Sequence, residues 1–201
     1  MNKFLTQAEK DFLITEQAQE NNIERAILRA IIDVESSGNG FYKKGESFEG
    51  KCKVRFEPDY FEKFSGARPF FIPGSISTKE AKSYSEYTDR NAYEQALIQS
   101  PSSTILASSF GLGQIMGFNY QGVGFNSLYE FSRAMESSEY DQLLAMIKFI
   151  TSNQELAKAA KNKDFAKVAS LYNGKTYKEV SYDKKLESAY NALSRNLLVK
   201  S

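Results

Sequence analysis

A chain of 201 residues with 41% apolar and 25% charged residues has ordinary globular composition and is long enough to bury a core without covalent staples. Its 26 Lys and Arg against 25 Asp and Glu leave a net charge of +1, so nothing points to nucleic acid or to an anionic membrane as a partner. There is no histidine and a single cysteine, which excludes a Ser-His-Asp triad, a Cys-His pair, the usual zinc ligand sets and any internal disulfide. Enzymatic chemistry here must therefore rest on carboxylates, hydroxyls, amides or amines, with no metal or other cofactor expected. Cys52 lies between Lys51 and Lys53, an arrangement expected to lower its pKa a little. No apolar run resembles a signal peptide or approaches transmembrane length, so the chain is expected to be made in the cytoplasm and not to insert stably into a membrane.

Thr6 with Glu9 is a capping-box pattern opening a first helix, whose modest apolar side is Phe12, Leu13 and Ala18. Asn21 with Glu24 repeats the pattern and predicts a second helix ending near Glu35, stopped by Gly38 and Gly40. Residues 40–75 differ: Phe and Gly are frequent, residues 54–58 read as a short strand or extended rim, and residues 68–74 as a loop with two prolines. Pro58 disfavours a helical conformation at Glu57, whose carboxyl should project from extended backbone. Helical patterning resumes over residues 78–99, and Pro101 opens another helix through Ala107 that the glycine segment from Gly111 breaks.

In the second half, Leu143, Leu144, Ile147 and Ile150 share one face of a helix over residues 140–150. Ser152 and Glu155 cap the next helix, which carries Leu156, Ala159 and Ala160. Phe165, Val168, Ala169 and Tyr172 mark another, stopped by Asn173-Gly174, and the last runs from about Tyr182 to about Leu197. No repeat, low-complexity stretch or interdomain linker interrupts this pattern. The expected fold class is mainly α, with residues 1–201 as a single domain and a small irregular or β insert after the second helix.

Three segments carry possible chemistry. Ile23, Ala26, Ile27, Ala30, Ile31 and Val34 form one helix face, and Glu35 sits on its flank at the helix end. A carboxyl held against apolar surface near the negative end of a helix resists ionising, which is what a general acid needs. The plainer alternative is a partly exposed helix-end acid. In the segment from Ser109 to Asn119, Gly111 and Gly113 flank Leu112 and precede Gln114. Those glycines admit a ligand or another helix close to the backbone, or make a tight turn into a helix. Tyr172-Asn173-Gly174, with Tyr177 and Tyr182 beyond, offers hydrogen-bonding groups for a polar substrate or is simply a helix cap.

Taken in order, Val34-Glu35-Ser36-Ser37-Gly38, Arg55-Phe56-Glu57, Gly111-Leu112-Gly113-Gln114-Ile115-Met116-Gly117 and Tyr172-Asn173-Gly174 resemble the phage and prophage N-acetylmuramidase family of the lysozyme-like superfamily. The Glu-Ser-Ser-Gly, Gly-Leu-Gly-Gln-Ile-Met and Tyr-Asn-Gly elements also resemble goose-type lysozymes and lytic transglycosylases. The resemblance implies a lysozyme-like domain, with the insert forming one rim of a cleft and no separate wall-binding domain. The family tends to carry tryptophan near the position of Phe110, a departure that implies altered sugar stacking. It also often carries a basic residue or histidine where Pro58-Asp59 follow Glu57.

The implied reaction is hydrolysis of the β-1,4 bond between N-acetylmuramic acid and N-acetylglucosamine in peptidoglycan, by a monomer acting on the glycan strand. Glu35 would donate a proton to the leaving oxygen, and Glu57 would act as the second carboxylate, ahead of Asp33 and Glu46. Gln114, Asn119, Tyr172 and Asn173 are assigned to substrate binding and Tyr177 to sugar stacking, while Ser36 and Ser37 satisfy the helix end. Alternatives are a lytic transglycosylase leaving 1,6-anhydro ends, or a non-catalytic wall-binding protein. The expected setting is an endolysin that reaches the periplasmic wall after holin-type release, or else a delivered antibacterial effector.

Overall fold

The computed structural model describes residues 3–72, 74, 77 and 89–198. Helix α1 (Gln7–Asn21) opens on the expected capping box: the Thr6 hydroxyl accepts from Glu9 N at 3.2 Å, and the Glu9 carboxylate accepts from Thr6 N at 2.7 Å. Helix α2 (Arg25–Ser36) does not start on the second box. Asn21 stays in the last turn of α1, its amide donating to Gln17 O at 2.8 Å, and Asn22 turns left-handed at φ 51° to break the helix. The residue before α2 is Glu24, whose side chain makes no capping bond. Ile23 is buried between the two helices, so burial of an isoleucine outweighs the polar cap pattern there.

Ala26, Ile27, Leu28, Ala30, Ile31 and Ile32 of α2 are all buried, so the helix is enclosed on more than one side. It packs against α1 and, most extensively, against the last helix, α10 (Tyr182–Leu198). The insert is a three-stranded antiparallel sheet in the order β1-β2-β3, with β1 (Val54–Phe56), β2 (Ser108–Phe110) and β3 (Ile115–Met116). Val54 pairs with Phe110, and Ser109 with Met116. The strand at residues 54–56 was expected; β2 and β3 were not. Glu57 follows β1 in extended backbone (φ −112°, ψ 97°), and Pro58 opens α3 (Pro58–Ser65), a helix the sequence reading left out.

Helices α4 (Asp89–Gln99) and α5 (Pro101–Leu106) follow. The first part of the helix expected over residues 78–99 lies outside the described residues. A 3₁₀ turn (Gly117–Asn119) leads towards α6 (Leu128–Ser137), a helix not anticipated, which Ser127 caps by accepting from Glu130 N. Helix α7 (Glu139–Ser152) extends the expected span at both ends. Ser152 is its last residue and not a cap; Asn153 caps α8 (Gln154–Lys161), accepting from Leu156 N at 3.1 Å. Helix α9 (Phe165–Tyr172) stops at Asn173 as expected, and a second 3₁₀ turn (Lys175–Lys178) precedes α10.

The glycine segment is a hairpin turn between β2 and β3, not a turn into a helix. A Cβ on Gly111 would sit 2.3 Å from Gln142 Cδ, and one on Gly113 would sit 2.5 Å from Met146 Cγ. The glycines therefore admit α7, the helix alternative of the two. Gln142 is buried and seals the contact: its amide oxygen accepts from Leu112 N at 3.0 Å while its nitrogen donates to Met135 O at 2.7 Å.

A buried ion pair fixes the loop after α2. Lys10 Nζ lies 3.0 Å from Glu139 Oε1 and donates to Gly38 O, while Glu139 also accepts from Gly40 N and Leu5 N. Lys10 Nζ has two partners and both Glu139 oxygens accept hydrogen bonds, which offsets the cost of burying the pair. The core places two further residues, and for the second, Cys52, the expected lowering of the pKa is overturned. Phe110 is fully buried, with edge-on contacts to Tyr93 and Phe131, so it belongs to the core and stacks on no sugar. Cys52 is also fully buried, and desolvation pushes its thiol well above the ordinary value; the flanking lysines do not activate it.

Candidate active site

Glu35 occupies the last turn of α2, where the buried isoleucines hold the helix rigid and the chain turns sharply away. Ser37 adopts left-handed geometry at φ 53°, and the N–H groups of Ser37 and Gly38 return to Asp33 O and Ile32 O. Ser36 donates its hydroxyl to Ile32 O at 3.1 Å, satisfying the helix end as expected. Lys53, on the segment entering β1, donates to Ser36 O at 3.2 Å and places a cation at the negative end of the helix.

Glu35 faces a cleft of about 290 Å³ lined by Ser36, Ser37, Tyr42, Lys53, Val54, Arg55, Asp89 and Gln114. The residue keeps partial contact with solvent, but its carboxyl is enclosed. Desolvation pushes its pKa up to about 7, against a hydrogen bond from Tyr182 and the positive charge of Arg55, both of which lower it. Burial wins, so a substantial protonated fraction survives at neutral pH. The Tyr182 hydroxyl donates to Glu35 Oε1 at 2.6 Å from the first turn of α10.

Tyr182 in turn stacks on Tyr172, with ring centroids 6.5 Å apart and planes 15° from parallel. Tyr172 donates its hydroxyl to Gly113 O at 2.6 Å and meets Phe149 edge-on. The tyrosine of the Tyr-Asn-Gly segment therefore joins the hairpin turn to the ring that holds Glu35. Gln114, at φ 47°, lines the cleft, but its amide is engaged by the turn: it accepts from Ser109 Oγ at 2.9 Å and donates to Gly111 O at 2.9 Å. Its side chain shapes the cleft wall as it stands.

Glu57 shares the outer face of the rim with Arg55, its carboxylate 3.1 Å from the guanidinium. Arg55 is one of the residues lining the cleft and its charge acts on Glu35, so Glu57 is linked to Glu35 through one arginine. Of the weaker candidates, Asp33 pairs with Arg29 at 3.1 Å, and Glu46 accepts from Lys43 N within an exposed loop. Asp89 at the start of α4 lines the cleft directly and was missed. Only the three-dimensional fold places it there, because no motif marks it in the sequence.

The remaining expected contacts are dispersed. Asn119 closes the 3₁₀ turn after β3, its carbonyl accepting from Val123 N. Asn173 is exposed at the end of α9. Tyr177 packs partly buried against the core, with Lys178 over its ring. None of the three is among the residues lining the Glu35 cleft. Among the described residues no group of acidic or cysteine side chains is arranged to hold a metal ion, and no helix is long and apolar enough to cross a membrane.

Comparison with known proteins adds to this geometry. Residues 24–194 match the family described as N-acetylmuramidase. Among solved structures, the crystal structure of the Burkholderia AP3 phage endolysin is similar with a TM-score of 0.72 and 29% identity, covering 93% of this chain and 71% of that one. No curated protein matches the sequence.

Proposed function

Because the chain belongs to the N-acetylmuramidase family, we propose that it cuts the β-1,4 bond between N-acetylmuramic acid and N-acetylglucosamine with Glu35 as the proton donor. The chain is a glycoside hydrolase acting on peptidoglycan. The observation that carries the proposed chemistry is the enclosed Glu35 carboxyl, raised to about 7 and held through one oxygen by Tyr182. Glu35 gives its proton to the glycosidic oxygen as the bond to C1 breaks, leaving an oxocarbenium-like ring. Glu57 accepts a proton from the water whose oxygen joins C1 and later releases it to solvent, while Glu35 regains its own proton from solvent. Arg55 pairs with Glu57 at 3.1 Å and supplies positive charge beside the leaving oxygen. A second assignment for the base, Asp89, is favoured by its place on the cleft wall.

Mass spectrometry of digested, purified peptidoglycan tests this reading. Hydrolysis gives reducing muramic acid ends, whereas attack by the muramic C6 hydroxyl gives 1,6-anhydro ends lighter by one water. Reducing ends are expected from the wild type, and almost none from Glu35→Gln, whose amide cannot donate in the same way; the loss should be about 10²–10⁴-fold. Wild-type rates in Glu35→Gln would remove the assignment. The setting we propose is action on the wall, as a monomer, after release from the cytoplasm, in keeping with the likeness to a phage endolysin. A neighbouring gene for a holin-like membrane protein favours that setting, and one for an immunity protein favours delivery as an effector.

A further inference from the structure

Beyond the cleft, three aromatic rings from α3 and the turn after β3 form a continuous surface. Tyr60 and Phe64 lie one turn apart on α3 with centroids 6.1 Å apart and planes 23° from parallel. Phe118, from the 3₁₀ turn after β3, lies 5.4 Å from Tyr60 and 6.2 Å from Phe64. Their neighbour Phe61 is fully buried, so α3 turns one aromatic inward and keeps two at the surface side. Tyr60 remains 39% exposed and Phe118 38%. Lys63 Nζ stands 5.9 Å from the Tyr60 and Phe64 centroids.

The position of this surface is set by two chain segments that leave the cleft together. Tyr60 is five residues beyond Arg55 and Phe118 is four beyond Gln114, both of which line the cleft, so the Cα atoms of Tyr60 and Phe118 lie within roughly 18 and 14 Å of theirs. Gly117 fixes the second segment: a Cβ there would sit 1.9 Å from Ile105 O, so the turn is pressed against the α5 backbone and Phe118 is carried onto α3. Leaving adjacent rings in water forgoes burial that a core would reward.

We propose that Tyr60, Phe64 and Phe118 are a stacking platform for a pyranose ring of the glycan strand, removed from the bond being cut. The C–H face of a sugar packs on an aromatic plane while its hydroxyls stay hydrated, and Tyr60 Oη and Lys63 Nζ supply polar groups at the platform's edge. Proximity along the chain to the cleft residues Arg55 and Gln114 selects the glycan as occupant, since a strand bound across Glu35 can extend to the rings. The proposal rests on the peptidoglycan-cleaving reading of that cleft.

The test compares wild type with the Tyr60→Ser/Phe118→Ser variant and with Tyr60→Leu/Phe118→Leu, which keeps apolar cover but removes the rings. Substrates are long peptide-free glycan strands, short peptide-free oligomers of alternating N-acetylmuramic acid and N-acetylglucosamine, and long strands bearing stem peptides, with melting temperature recorded for each variant. Both variants are expected to raise KM for both kinds of long strand about tenfold, with kcat within about twofold and short substrates unaffected. Unchanged KM for long strands would overturn the proposal. So would equal loss on short substrates, or loss only on peptide-bearing strands, which would assign the platform to the stem peptide. If the serine variant fails to fold, the leucine variant decides. Wild type cleaving none of the substrates would instead overturn the underlying hydrolase reading, a result distinct from cleavage without length dependence.

Discussion

The hydroxyl of Tyr182 reaches Oε1 of Glu35 at 2.6 Å, joining residues 147 positions apart in sequence. The contact exists because α10 lies along α2, so the last helix of the domain completes the environment of the acid at the end of the second. One carboxyl oxygen is thereby occupied as an acceptor, and the other is left to carry the transferable proton. Two opposing effects meet here. Burial favours the neutral acid, while the tyrosine bond favours the carboxylate, and burial is the larger.

Tyr182→Phe separates the two effects. Without the hydroxyl, the Glu35 pKa rises further, so the alkaline limb of the activity profile moves to higher pH. The carboxyl also loses its fixed orientation, and kcat is expected to fall about tenfold with little change in KM. A pH–rate profile checks both parts. An alkaline limb at the wild-type position would show that Tyr182 does not act on Glu35 through this bond.

A raised carboxyl also has a cost in stability, and its sign follows from proton binding. Below about pH 4, Glu35 is protonated folded or unfolded and contributes nothing. As pH rises towards about 7, the unfolded chain has released its proton while the folded one still holds it, and stability falls; above the folded pKa the penalty is complete. Its upper bound is about 3 kcal/mol. Glu35→Gln should therefore be more stable than wild type by urea denaturation at about pH 8, with the difference vanishing at about pH 4. In the wild type, activity should decline as pH passes about 7.

Much of this site was legible in the sequence, and for local reasons. The apolar spacing of α2 located Glu35 at a helix end, and Pro58 fixed the extended backbone at Glu57. What escaped was non-local. Asp89 enters the cleft only because of how the chain folds, and Tyr182 reaches Glu35 only because α10 packs on α2. β2 is too short to show alternation, and all three of its residues are buried, so no polar face marks it as a strand. The glycines were legible as close approaches, but whether a ligand or a helix approached depended on Gln142 and Met146, some 30 residues on. The burial of Phe110 was not legible either, because it depends on Tyr93 and Phe131, which only the fold brings to its ring.

The second carboxylate is decided by comparing Glu57→Gln with Asp89→Asn. Glu57 sits beside Arg55 on the rim, and Asp89 lines the cleft itself. If Glu57 is the base, its amide variant loses about 10²–10⁴-fold in kcat with little change in KM. Asp89→Asn should then alter KM more than kcat. The reverse pattern would transfer the role to Asp89. Azide added to the amide variant is a further check, because an external nucleophile can replace a missing base but not a missing substrate contact.

The hairpin turn between β2 and β3 is predicted to be the mechanical link between the core and the acid. A methyl group on Gly113 would meet Met146 Cγ at 2.5 Å and the Tyr172 hydroxyl at 2.9 Å. That hydroxyl already bonds Gly113 O, and the Tyr172 ring stacks on the tyrosine that holds Glu35. Gly113→Ala should therefore cost about 1–3 kcal/mol through overpacking, and should also displace Tyr172 and, through it, Tyr182. Thermal denaturation and kcat would both fall. Gly122→Ala is the matched control, since its added methyl meets only Asn119 O at an ordinary 3.5 Å, and its stability should stay within about 0.5 kcal/mol of wild type. If Gly113→Ala loses stability but keeps its full kcat at temperatures where it remains folded, the tyrosine stack does not transmit the hairpin's position to the acid.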